Sequence, residues 1–139
     1  MEEYGWWYQP VLLAEGISLG TPQQCHKNAI NLTLDDESLI YCEGYALFKS
    51  GSVPTRHAWV TDGSGRAIDN TWPEPGIAYA GVPFRSEFVS MSCLKNRATI
   101  SLLDDFQNNY PLRRELGDHP DEWLEQRGRG VAQIGDEPS

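Results

Sequence analysis

Cys25, His57 and Asp69 stand in that order along the chain. Together these residue types can carry out acyl transfer: a thiolate attacks a carbonyl, an imidazole takes and returns the proton, and a carboxylate holds the imidazole in one tautomer. The thiol must be activated, and its local sequence supplies a means. Thr21 reads as a helix N-cap, Pro22 as the first helical residue and Gln24 as the far member of a capping box. Cys25, Ala29 and Leu32 then recur on one helical face. This puts Cys25 in the first turn, on the buried side, where unpaired N–H groups and the helix dipole lower a thiol pKa.

The elements that must position these groups follow from the surrounding pattern. The Cys-bearing helix is expected to stop near Asp35-Asp36, and Leu39 to Phe48 reads as a strand in which Gly44 permits a bulge or a close approach. His57 to Thr61 and Ala67 to Trp72 are two short strand-like runs joined by Asp62-Gly63-Ser64-Gly65, which is strong hairpin sequence. If Asp62 lies opposite Arg66, then Trp59 faces Asp69 and His57 faces Thr71. His57 and Asp69 become diagonal neighbours on one sheet face. Pro73 and Pro75 close the second run, and Trp6-Trp7-Tyr8 reads as a short strand or packed arm. A strand is expected at Phe84 to Met91, a helix from Ser101 toward Tyr110, and a last short helix from Pro120 to Gly128.

Thr21-Pro22-Gln23-Gln24-Cys25 with Ala29, then Tyr41-Cys42-Glu43-Gly44-Tyr45-Ala46, His57-Ala58-Trp59-Val60 and Ile68-Asp69-Asn70-Thr71 resemble the core of the transglutaminase-like branch of papain-fold cysteine enzymes. The resemblance covers Thr21 to Trp72. It implies a Cys-His-Asp triad with Cys25 as nucleophile, His57 as base and Asp69 as orienting acid. The chain departs from the family pattern at Gln23, Thr61 and Asn70, where Gly, an acidic residue and Pro are common.

Other residues compete for roles at the same site. His26 follows Cys25, but adjacent helical side chains diverge by ~100°, so a Cys25–His26 dyad is not expected. An oxyanion would need the backbone N–H of Cys25 and a second donor. Gln23, Gln24, Trp7, Tyr8 and Trp59 are the candidates, as substrate-binding or oxyanion groups, and the sequence does not choose among them. Cys25, Cys42, Cys93 and a histidine lack any ligand pair at zinc spacing, so no metal and no organic cofactor is expected.

Composition sets the frame. Of 139 residues, 40% are hydrophobic and 22% charged, which suits one globular domain. We place that domain over residues 1–128, with 129–139 as a loosely ordered tail. Twenty acidic against eleven basic residues give a formal charge of −9, which argues against nucleic acid or an anionic membrane as partner. The opening Met1-Glu2-Glu3 lacks the basic start of a signal peptide, and three unpatterned cysteines suit reduced thiols. The expected location is therefore cytoplasmic. The expected fold is α+β, an antiparallel sheet packed on the Cys-bearing helix with C-terminal helices flanking it. The expected function is cysteine-dependent acyl transfer on an amide of a peptide, protein or small molecule, by hydrolysis or by transfer to an amine. The alternative is a non-catalytic module that uses the same cleft to hold a small ligand, a peptide or a protein partner.

Overall fold

The computed structural model describes residues 5–13, 16–48, 53–90 and 124–134. The fold is α+β. The helix α1 (Cys25–Asp35) packs on a sheet of β1 (Trp6–Pro10), β2 (Ile40–Leu47), β3 (Thr55–Thr61), β4 (Arg66–Ala67), β5 (Ala78–Pro83) and β6 (Ala132–Gln133). The strand order is β3-β2-β5-β1-β4, with β6 also on β1. Every pair is antiparallel except β1 with β4. Ile68, just past β4, exchanges two backbone hydrogen bonds with Val60 of β3, at 3.0 and 2.7 Å. The two ends of the sheet are thereby joined.

That bridge has Val60 opposite Ile68, the register in which Asp62 faces Arg66. Its turn is held by Asp62, whose Oδ1 accepts from the Ser64 N–H and hydroxyl. Gly63 and Gly65 take left-handed φ values of 90° and 84° there, where a side chain would be strained.

Alternation along the strands divides the core in two. Tyr41, Ala58, Val60, Val82 and Phe84 pack with Ala29 and Ile30 of α1. Tyr8, Cys42, Ala46, Trp59, Ala67 and Tyr79 fill the other side. Burying each Val or Phe contributes roughly 1.5–3 kcal/mol, so these two faces fix the register of β2 and β3. Gly44 sits between them at a point of close approach: a Cβ there would lie 2.0 Å from the Ala80 carbonyl oxygen and 2.5 Å from the Gly81 Cα. His57, Gly44 and Gly81 form one cross-strand row, so the imidazole has no side chain beside it in that row.

Several expectations are corrected. The helix begins at Cys25, with Gln24 preceding it and no side-chain cap, instead of at Pro22. Gln23 has φ 65°, which breaks the helix there, and both backbone groups of Thr21 are occupied by the Asn28 side chain. The strand placed at Phe84–Met91 is instead a single bridge from Phe84 to Leu124 followed by helical residues 86–90. The strand lies earlier, over Ala78–Pro83, a run of small residues that gives little strand signal by itself. Where a helix was expected from Pro120 to Gly128, the described part is a bridge at Leu124 and a 3-10 turn over Gln126–Gly128. The segment expected to be loose beyond Arg129 contributes β6, which pairs with Trp6 and Trp7. The helix expected from Ser101 lies outside the described residues. Among the described residues no helix is long and apolar enough to cross a membrane.

Candidate active site

The start of α1, the middle of β3 and the segment after β4 converge on Cys25, His57 and Asp69. His57 and Asp69 are both buried, with His57 Nε2 2.9 Å from Asp69 Oδ2. The carboxylate is well supplied with donors. The Tyr79 hydroxyl donates to Oδ2 at 2.7 Å and the Thr71 N–H donates to Oδ1 at 2.9 Å. Tyr79 in turn accepts from the Gly76 N–H at 2.8 Å, which commits its own proton to Asp69. Burial alone would raise the Asp69 pKa, but the bonds from His57, Tyr79 and Thr71 outweigh it and hold the carboxyl below its ordinary value.

With Nε2 on Asp69, Nδ1 is the His57 nitrogen left for the thiol. Burial opposes a charged ring, yet Asp69 and Cys25 together push the His57 pKa up to about 9. The Cys25 thiol is half-buried, which would raise its pKa, and its interactions with His26 and His57 instead lower it to about 6. The ordinary order of the two groups is thus reversed. Both shifts run in the direction that moves the proton from the sulfur to the imidazole and favours a thiolate.

The ring plane of His57 is fixed by stacking on Trp72, at 4.0 Å between centroids and 20° between planes. Trp72 stacks in turn on Phe48 at 3.6 Å. Asn28, one turn into α1, ties the helix to the Asp69 segment. Its Nδ2 donates to the Thr21 carbonyl at 2.8 Å and to Thr71 Oγ1 at 3.0 Å, while its Oδ1 accepts from the Thr21 N–H at 3.0 Å. One amide therefore locks the turn before Cys25 to the residue that holds Asp69.

The remaining candidates lie in different places. Gln23 and Gln24 form the exposed turn leading into Cys25. Trp7 is exposed on β1. Tyr8 is buried with its hydroxyl donated to the Gly128 carbonyl at 2.6 Å, so that proton is already spent. Trp59 packs edge-on to Tyr8 and Tyr79, and its buried indole N–H meets no acceptor among the described residues. Cys42 is fully buried, and burial pushes its thiol well up. Cys93 lies outside the described residues. Among the described residues no three His, Cys, Asp or Glu side chains gather as metal ligands. A groove of about 830 Å³ runs past Ile30, Leu34, Leu39 and Phe84 and is lined by none of the three candidate groups.

Sequence reasoning missed Asn28 and Tyr79 as supports of the candidate site, and it weighed His26 but set it aside on geometric grounds. Because Cys25 is the first helical residue, it sits at the helix end next to His26, whose influence is among those that lower the thiol's pKa. A signal was present for Asn28, a polar residue one turn after the thiol on a helix with apolar neighbours. Tyr79 carried none. Comparison with protein families, curated proteins and solved structures finds no match to this chain.

Proposed function

We propose that this chain is a cysteine-dependent acyl-transfer enzyme of the transglutaminase-like, papain-fold type, acting on an amide substrate through Cys25, His57 and Asp69. The observation that carries the reading is a buried imidazole bound to a buried carboxylate at 2.9 Å through Nε2, with the helix-start thiol and this imidazole shifting each other's pKa in the direction of an ion pair. Such an array has a direct chemical use. The Cys25 thiolate attacks the carbonyl carbon; an S–C bond forms and the carbonyl π pair moves to oxygen. The Cys25 backbone N–H, at the open start of α1, has no intrahelical acceptor and can donate to that oxyanion. When the carbonyl re-forms, the C–N bond breaks and the amine leaves with the His57 proton. The thioester is then attacked by water or by a second amine. His57, now neutral, takes the proton of the incoming group, and the thiolate departs. Asp69 keeps the imidazole oriented and stabilises its charged form. A thiolate of this kind is easily oxidised, so the proposal includes a reducing compartment, the cytoplasm.

The test is mass spectrometry after exposure to thiol-reactive acyl and peptide probes at neutral pH. Acylation at Cys25 well ahead of Cys42 and Cys93, lost in Cys25→Ala, is the expected result. Equal labelling of all three thiols in the folded protein removes the activated nucleophile. A folded Cys25→Ala variant that still binds and still acts in full favours the binding-module reading instead.

A further inference from the structure

Cys25 and His26 are the first two residues of α1, and this second imidazole has supports of its own. His26 Nδ1 lies 3.0 Å from the Tyr41 hydroxyl and 3.7 Å from Glu43 Oε1. Tyr41 and Glu43 are two apart on β2, so both face α1. Glu43 is only 1% exposed, and a carboxylate so deeply placed is costly unless charge or hydrogen bonds meet it. With Nδ1 held at Tyr41 and Glu43, Nε2 is the ring nitrogen left for the thiol. Among the described residues, the charged and titratable groups around His26 are Cys25 on α1, Tyr41 and Glu43 on β2 and His57 on β3. Burial opposes protonation of His26, His57 opposes it too, and Cys25 with Glu43 outweighs both, so the ring holds its proton more tightly than usual.

Building on the acyl-transfer reading above, we propose that His26 is a second catalytic imidazole: carried by Tyr41 and Glu43, it donates its Nε2–H to the Cys25 sulfur and then to the substrate oxygen on which the charge develops. His57 and His26 divide the work. His57 transfers a proton to the leaving amine. His26 transfers none; its hydrogen bond follows the negative charge from sulfur to oxygen as the S–C bond forms and returns when the thiolate leaves. The arrangement supplies the oxyanion donor that Tyr8, its hydroxyl committed to the Gly128 carbonyl, does not.

The experiment is the pH dependence of Cys25 alkylation by iodoacetamide, read by mass spectrometry on wild type, His26→Gln and Glu43→Gln, beside amide turnover. In His26→Gln the midpoint is expected to rise from about 6, with a loss of roughly tenfold or more in rate near pH 6 and convergence with wild type above about pH 9. Glu43→Gln moves it the same way by less. Where turnover is present, kcat falls with little change in KM. An unmoved midpoint in folded His26→Gln overturns the inference, and beside an active wild type it leaves the acyl-transfer reading standing. A raised midpoint in a protein that turns over no amide upholds the support of the thiolate and counts against that reading. Should His26→Gln fail to fold, Tyr41→Phe gives the same readout: a raised midpoint supports the inference and an unmoved one overturns it.

Discussion

Asp69→Asn tests the site through its best-defined contact. The substitution removes a charge and replaces one acceptor oxygen by an NH2 group, yet three donors converge on this carboxylate: His57 Nε2, the Tyr79 hydroxyl and the Thr71 N–H. If the amide oxygen takes the Oδ2 position, His57 and Tyr79 keep an acceptor and the buried Thr71 N–H faces another donor. That orphaned group costs about 1–3 kcal/mol. The charge loss acts on His57. A rise from 6.5 to about 9 corresponds to about 3 kcal/mol of preference for the protonated ring, and Asp69 leads the causes that raise it. Without the carboxylate the imidazole pKa should fall back toward 6.5, and the thiol midpoint should rise as its cationic partner weakens. The sign for stability follows. A raised histidine pKa contributes stability that is fully present below 6.5 and lost as pH rises through about 9, whereas the lowered Asp69 pKa contributes stability above 3.8 that is lost as pH falls. The gap between wild type and variant should be widest between those limits and narrow above about pH 9. The assays are NMR titration of His57, chemical denaturation across pH, and the pH profile of kcat/KM on whichever amide substrate the probes identify. The profile should be a bell between about 6 and about 9 in wild type, and narrower and lower by roughly 10²- to 10⁴-fold in the variant. A His57 titration unmoved by Asp69→Asn would refute the reasoning.

Two further substitutions probe how the site is held. Gly44→Ala must push β2 and β5 apart, because its Cβ would meet the Ala80 carbonyl oxygen at 2.0 Å; the expected cost is about 2 kcal/mol or more, read as a lower Tm, and an unchanged Tm contradicts the packing. Asn28→Ala deletes both bonds to Thr21 and the bond to Thr71, for an expected loss of about 2–3 kcal/mol together with slower Cys25 alkylation near neutral pH. Wild-type stability and rate in that variant would mean the turn before Cys25 is held by something else.

The turn register that brings His57 to Asp69 was legible in sequence because it rides on local patterns. A helical repeat ran through Cys25, Ala29 and Leu32; a turn sequence at Asp62–Gly65 set the register that carries His57 toward Asp69; and Gly44 marked a close approach. Each of these is decided by residues within a few positions of one another, where periodicity and turn geometry act directly. The helix start was misjudged by the same local reasoning, because Thr21 is claimed by the side chain of Asn28 seven residues on. What only the tertiary structure decided is which distant groups meet. Tyr79 reaches Asp69, and Glu43 reaches His26, through strand pairings of β2 with β5 and through the packing of α1 on β2. β5 itself is built from small residues that become a strand only between β1 and β2. Strand order and the neighbour of a buried charge depend on contacts far apart in the chain, whose loop-closure entropy is repaid only when the whole sheet forms, so no short window of sequence contains them.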